Sequence, residues 1–323
     1  MALPPMQRVS RSQPCPVCGK HKGCGVAEFG RFLIVNCVRV SAGSYKTSAN
    51  GWLHRLPLGN VPDRPRKEET ADPIPQSPLA PLERRIAVYE AMLRLLPLRP
   101  EHRRHLREVR GLSDAAIRRH RFRSLPGGIE RARLVKTLLR RFGPNGLAGV
   151  PGFWRDAMGR WRLGGAPGLL IPMRDLRGRV HALQTRPDDA GKVSAKYCLV
   201  SSGTRPYGAN SGTPYHLAVP PNPVDRERVF VVEGPLKAII VAEYTRRLVV
   251  AATSAFTWRE ALEAVRQLRP RQVLLAFDAD WRTNEGVRRQ LLAMVEATRE
   301  AGLEVAIATW ASGYKGLDDY LLG

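Results

Sequence analysis

The sequence predicts an α/β fold whose C-terminal part is a short parallel sheet, and three observations carry that expectation. From Arg228 onward, apolar runs of strand length alternate with segments of helical period. Strands are expected at 229–232, 248–251, 272–277 and 303–308, and helices at 235–245, 258–268 and 285–301. The runs Val229–Val232 and Val273–Phe277 contain no polar residue, as in strands covered on both faces. Both runs end in carboxylates: Glu233 before Gly234, and Asp278-Ala279-Asp280. Open α/β sheets gather their reactive groups outside the carboxyl ends of their strands.

Alternate residues of an extended chain share a face, so Asp278 and Asp280 are expected to point together towards Glu233. Carboxylates held that close repel, and a hard divalent ion, Mg²⁺ or Mn²⁺, is the expected neutraliser. A plainer role is open too, because strand-end acids often cap the following helix. Glu-Gly after one apolar strand and Asp-x-Asp after a later one resemble the Toprim domain of primases, topoisomerases and related nucleases. The ending Gly313–Leu321 resembles an acidic stretch of bacterial replicative primases, with Asp318 on its second aspartate. This resemblance implies a Rossmann-like domain in which Glu233, Asp278 and Asp280 are catalytic and, with Asp318, bind Mg²⁺. Two positions depart from it. Lys237 stands where relatives often have aspartate, and Gly316 replaces the first aspartate of the late stretch. Both remove a ligand, which puts a second metal ion in doubt. For Lys237 two roles are open, contact with a phosphate or solvation of its helix.

Lys and Arg number 52 against 29 Asp and Glu, a net charge of +23. A field of that sign attracts polyanions, nucleic acid first among them. No apolar run reaches the ~18 residues that cross a bilayer. Met1–Arg11 also lacks the apolar centre of a secretory signal. A cytoplasmic protein with no membrane partner is expected. Cys15, Cys18, Cys24 and Cys37 crowd one short segment, which in such a compartment favours metal over disulfides. Cys-Pro-x-Cys makes a knuckle presenting two thiolates to one ion, and Gly19 eases the turn. Phe32–Val35 reads as the strand that carries Cys37 back. Four thiolates so spaced suit tetrahedral Zn²⁺ in a zinc ribbon over residues 1–57, with His21 and His54 as alternative ligands. Cys198, outside this group, is expected to be a small buried hydrophobe.

Residues 58–81 are proline-rich and charged, an extended linker rather than a core. Residues 82–150 are expected to be helical, with helices over Leu82–Leu96 and Pro100–Arg110 and a short one capped by Ser113. Arg118, Arg119, Arg121 and Arg123 crowd the end of the last helix, where the helix dipole or a phosphate would explain them equally. Residues 151–225 turn to short strands, with Leu169–Asp175 and Gly178–Gln184 as a hairpin. This mixed α+β part precedes the domain at 226–323. From the hairpin through Lys196-Tyr197 to Thr213-Pro214 the run resembles the primase-core subdomain that lines a basic groove for template. That implies Arg174, Arg186 and Lys196 as nucleic-acid contacts, with Tyr197 stacking on a base.

As a whole the resemblance implies a DNA primase-like nucleotidyltransferase, similar to those of phages, plasmids and other mobile elements. It would join nucleoside triphosphates on a single-stranded DNA template during replication, with Mg²⁺ and Zn²⁺ as cofactors. No Gly-x-x-x-x-Gly-Lys-Ser/Thr occurs, so a separate replicative helicase is an expected partner. The rival expectations are a Toprim nuclease or topoisomerase-like enzyme and a non-catalytic DNA-binding replication accessory protein.

Overall fold

The computed structural model describes residues 6–48, 51–57, 75–189 and 195–323. The chain divides into two compact units, Met1–Ala71 with Asp280–Gln290, and Asp72–Ala279 with Leu291–Gly323. In the first, β1 (Gln7–Arg8), β2 (Gly25–Phe29), β3 (Phe32–Cys37), β4 (Lys46–Ser48) and β5 (Gly51–Pro57) form an antiparallel sheet in the order β1-β2-β3-β5-β4. Leu33, Val35 and Cys37 alternate along β3 and are fully buried. With Val9, Cys15, Cys24 and Val26 they make a very small core. A module of this size buries too little apolar surface to be secure without a further staple.

Most of the predicted linker, residues 58–74, lies outside the described residues. Its end is packed rather than extended into solvent. Ser77 N–H donates to Gly208 O at 2.9 Å and Ala80 N–H to Gly149 O at 2.8 Å, and Ala80 is buried.

The second unit opens with α1 (Leu82–Leu95), which buries Val88, Tyr89, Met92 and Leu93 at the predicted helical period. Next, α2 (Pro100–Arg104) starts on a proline and runs into a π-helical turn, His105–Val109. Ser113 caps α3 (Asp114–His120), its Oγ accepting the Ala116 N–H at 3.1 Å. There follow β6 (Arg123–Leu125), α4 (Gly128–Phe142) and a hairpin of β7 (Phe153–Arg155) and β8 (Trp161–Leu163). The predicted second hairpin is β9 (Gly168–Arg174) with β10 (Val180–Pro187), and the Asp175 carboxylate accepts the Arg177 and Arg179 N–H groups at its turn. Strand β11 (Cys198–Leu199) completes a sheet ordered β11-β10-β9-β6. Tyr89, Met92, Leu138, Leu147, Phe153, Leu170 and Leu183 share one core, so α1, α4 and these strands pack as one body. Cys198 is half-buried on the edge strand, not in that core as expected, because β11 covers only one neighbour.

Then come β12 (His216–Ala218), β13 (Arg228–Glu233), α5 (Pro235–Thr245), β14 (Leu248–Ala252), α6 (Trp258–Leu268), β15 (Gln272–Ala276), α7 (Glu285–Glu300), β16 (Glu304–Ile307) and α8 (Leu317–Leu322). The sheet runs β12-β14-β13-β15-β16, parallel except for β12. Every predicted strand and helix of this part is present, with ends shifted by a residue or so. Leu169 and Ile171 of β9 join Val232, Leu236 and Ile239 in a second core, which ties the two sheets together.

Ser113→Ala should lower the stability of this unit by about 1 kcal/mol through loss of the cap. Urea unfolding should show a lower midpoint at unchanged slope; an unchanged midpoint would mean the cap contributes nothing.

Candidate active site and metal centre

In the first unit the Cys15–Cys18 turn is closed by Gly19 N–H donating to Cys15 O at 2.8 Å. Gly19 has φ 67°, a region glycine enters without strain. Cys24 precedes β2 and Cys37 ends β3, so the sheet returns both thiols to the turn. The four sulfurs lie within 4.8 Å of one another, with Cys18–Cys24 at 3.7 Å and Cys24–Cys37 at 3.9 Å. Sulfurs about 2.3 Å from a central ion in a tetrahedron stand about 3.8 Å apart, so the set fits Zn²⁺. Burial raises the Cys15 and Cys24 thiols. It raises Cys18 as well, but the Lys20 N–H and the other thiols outweigh it and bring Cys18 down to about 7. His21 and His54 are not in the group; His54 is buried, with Nε2 2.8 Å from Val40 O.

In the second unit the carboxyl edge of the parallel sheet forms a separate site. Gly234, at φ 93°, turns the chain from Glu233 into α5, with Pro235 at the first helical position. The Glu233 oxygens accept the N–H groups of Asp278 at 3.2 Å and Ala255 at 3.1 Å. Lys237, in the first turn of α5, donates to Asp278 Oδ1 and lies 3.6 Å from Asp318 Oδ1. Lys315 Nζ is 3.6 Å from Asp278 Oδ2, and Arg110 Nη1 is 3.7 Å from Asp318 Oδ2. Ala279 N–H donates to Lys315 O at 2.7 Å, which fixes the stretch before α8 against the end of β15. With Gln184, Lys196, Tyr197, Thr253, Ser254 and Asp319, these groups line a cavity of about 290 Å³.

Four cations (Arg110, Lys196, Lys237, Lys315) and four carboxylates (Glu233, Asp278, Asp318, Asp319) face it. Cationic crowding extends behind the wall. Burial, then Arg110, Arg186 and Lys315, lowers the Lys196 pKa. Burial, then Arg186 and Arg110, brings His105 down to about 4, so its ring is neutral at pH 7. Asp318 Oδ1 and Gln184 Oε1 are buried and make no hydrogen bond, in side chains of residues 5% and 4% exposed. Buried atoms that lack a hydrogen bond on a polar wall are groups that a ligand can satisfy.

The expectation of Mg²⁺ rested on carboxylates lacking a nearby cation, and Lys237 is that cation. Asp278 has an ammonium near each oxygen, while Glu233 uses both of its oxygens on backbone N–H groups. Among the described residues, no three carboxylates bring oxygens within 4.8 Å of one another. In this arrangement Lys237 takes the place between Asp278 and Asp318 that a divalent ion would occupy. Asp280 also departs from expectation. Strand β15 stops at Ala276 and Ala279–Arg282 is a 3₁₀ turn, so the alternation of an extended chain no longer applies there. Asp280 is exposed.

Of the residues singled out in the sequence, Glu233, Asp278, Asp318, Lys237, Lys196 and Tyr197 do share the cavity. Arg186 stands behind it, its Nε buried without a hydrogen bond. The Arg174 guanidinium donates to Gly178 O at 2.7 Å and Arg119 O at 3.4 Å, which commits it to backbone. Sequence reasoning missed Arg110, Gln184, Thr253, Ser254, Lys315 and Asp319. The last two carried a signal, since they lie inside the primase-like ending.

Residues 228–323 match the family described as Domain of unknown function (DUF3854). No curated protein matches the chain. Solved structures do. The zinc-binding and RNA polymerase domains of Aquifex aeolicus primase share 19% identity over 73% of this chain and 57% of that one, with a TM-score of 0.57. This chain thus spans little more than half of that structure's length. The RNA polymerase domain of Mycobacterium tuberculosis primase DnaG, crystallised with a double-stranded DNA oligomer bearing a 6-nucleotide overhang, shares 19% over 76% and 77%, with a TM-score of 0.55. A DnaG primase catalytic domain bound to ssDNA shares 21% over 74% and 76%, with a TM-score of 0.52. At these identities the likeness establishes the fold, a mixed α/β fold like that of bacterial primase cores. No described helix is long and apolar enough to cross a membrane.

Reductively purified protein should carry one Zn²⁺ per chain, and Cys15→Ser should release it. Elemental analysis finding no zinc in the wild type would remove the assignment.

Proposed function

We propose that the chain is a primase-like nucleotidyltransferase with a Toprim-type centre, which joins nucleoside triphosphates into short primers on single-stranded DNA. One observation carries this proposal. Within a fold like that of primase cores, Glu233, Asp278 and Asp318 face Arg110, Lys196, Lys237 and Lys315 across one cavity at the strand ends. In the step, a 3′-hydroxyl oxygen bonds to the α-phosphorus of the incoming nucleotide. The bond from that phosphorus to the bridging oxygen breaks, and pyrophosphate leaves. The hydroxyl proton passes to a carboxylate, assigned to Glu233. Arg110, Lys196 and Lys315 hold the polyphosphate and its developing charge. Gln184 Oε1 offers an acceptor to a base amino group, and Tyr197, on the same wall, a ring on which a base would stack. Mg²⁺, if bound, would be held by Asp278 and Asp318 and would supply charge stabilisation to the leaving pyrophosphate. The zinc-binding unit and Arg186 would engage template, and a separate replicative helicase would supply it, in the cytoplasm and in the manner of mobile-element primases.

A second proposal, a DNA-binding accessory protein without activity, is favoured by the Lys237–Asp278 ion pair, which occupies a carboxylate. Labelled nucleotides on single-stranded DNA, with Mg²⁺ or Mn²⁺ supplied, separate the possibilities. Short labelled products that fall by about 100-fold or more on Asp278→Asn support synthesis. Strand cleavage without nucleotides points to a nuclease, and DNA binding with no product leaves the accessory protein.

Affinity for single strands should fall linearly with salt on a log–log plot as counterions are released. Arg186→Ala with Lys196→Ala should flatten that slope by roughly one to two charges. Salt-insensitive binding would take the basic wall out of the account.

A further inference from the structure

Lys237 sits in the first turn of α5, where the helix dipole disfavours an ammonium, and no acidic residue shares that turn. Its side chain is only 13% exposed. What holds it there is the pair of carboxylates it faces. It donates to Asp278 Oδ1 and lies 3.6 Å from Asp318 Oδ1, an atom that is buried and otherwise makes no hydrogen bond. Asp278 and Asp318 are far apart in sequence, one after β15 and one on α8, and their charges oppose each other unless a cation lies between them.

Gly316 completes the arrangement. Its backbone, at φ −124° and ψ 163°, is extended and open to any residue, so conformation does not require glycine here. Space does. A Cβ at 316 would press on Asp318 Oδ1 and stand 2.7 Å from Lys237 Nζ. With no side chain at 316, the Lys237 ammonium and Asp318 Oδ1 lie against the backbone there.

We infer that Lys237 is a resident cation, its ammonium holding Asp278 and Asp318 together where a divalent ion would otherwise stand, with Gly316 as the notch that admits it. This rests on the same cavity as the proposed function and deepens it: the apoprotein carries its own positive charge at that point. Lys237 is therefore a positioning residue for the two carboxylates. Lys315, 71% exposed and at 3.6 Å from Asp278, is the peripheral control.

Thermal unfolding of zinc-loaded protein, desalted into metal-free buffer and compared with millimolar Mg²⁺ at constant ionic strength, tests it without reference to activity. Wild type and Lys315→Met should melt at the same temperature in both buffers. Lys237→Met should melt several degrees lower in metal-free buffer and regain the loss with Mg²⁺. If Lys237→Met does not fold, Lys237→Gln purified in Mg²⁺ throughout should unfold when desalted while wild type does not. A Lys237 variant that melts like wild type in both buffers overturns the inference. So does a wild type stabilised by Mg²⁺ as much as the variant is. Primer synthesis assayed on the same wild-type sample keeps the two claims apart. No product with this melting pattern intact removes the enzyme and leaves the resident cation, and product with the pattern absent does the reverse.

Discussion

Two hydrogen bonds accepted by one carboxylate set the geometry on which the candidate active site depends. Glu233 ends β13, which lies between β14 and β15 in parallel register, Val232 opposite both Ala251 and Ala276. Loops that leave adjacent parallel strands carry N–H groups with no ladder partner, and Glu233 accepts one from each. Hydrogen bonds to a charged acceptor are the stronger kind. They draw Ser254 and Asp278 onto the wall of the same cavity. The Ala279 N–H to Lys315 O bond then adds the stretch leading to α8, and with it Asp318. Fold and site thus share their fasteners.

The charge is distributed in a way the composition does not reveal. The chain has an excess of 23 cations, yet the cavity wall has as many carboxylates as ammonium and guanidinium groups. Several arginines elsewhere are committed to carboxylates or backbone, as with Arg119 on Glu243, Arg179 on Asp175 and Arg131 on Gly165 O. What remains unpaired provides a long-range field that draws polyanions in. The cavity itself offers paired charges that a phosphate must pull apart.

Much of the fold was legible because its strands are unbroken apolar runs and its helices keep a strict period. The βα alternation after Arg228, the hairpin of β9 and β10, the Ser113 cap and the four-cysteine group all depend on neighbours close in sequence. The site was legible only in part. Glu233 and Asp278 follow from the rule about strand ends. Asp280 does not, since the rule of alternation assumes an extended chain and the backbone turns into a 3₁₀ helix there. Arg110 lies just past a π-helical turn, and its direction follows from tertiary packing. Gln184 follows the apolar Ala182-Leu183 in β10 and becomes a wall group only through tertiary packing. Lys237 and Gly316 were visible as departures from the Toprim pattern, but that one makes room for the other needs three-dimensional contact.

The central claim is that an ammonium, not a metal ion, lies between Asp278 and Asp318. Crystals grown with Mn²⁺, measured at the manganese and zinc absorption edges, test it most directly. The account predicts a zinc peak among Cys15, Cys18, Cys24 and Cys37, no manganese peak between the two aspartates, and Lys237 Nζ density in that place. A manganese peak bridging Asp278 and Asp318, with Lys237 turned away, would contradict it.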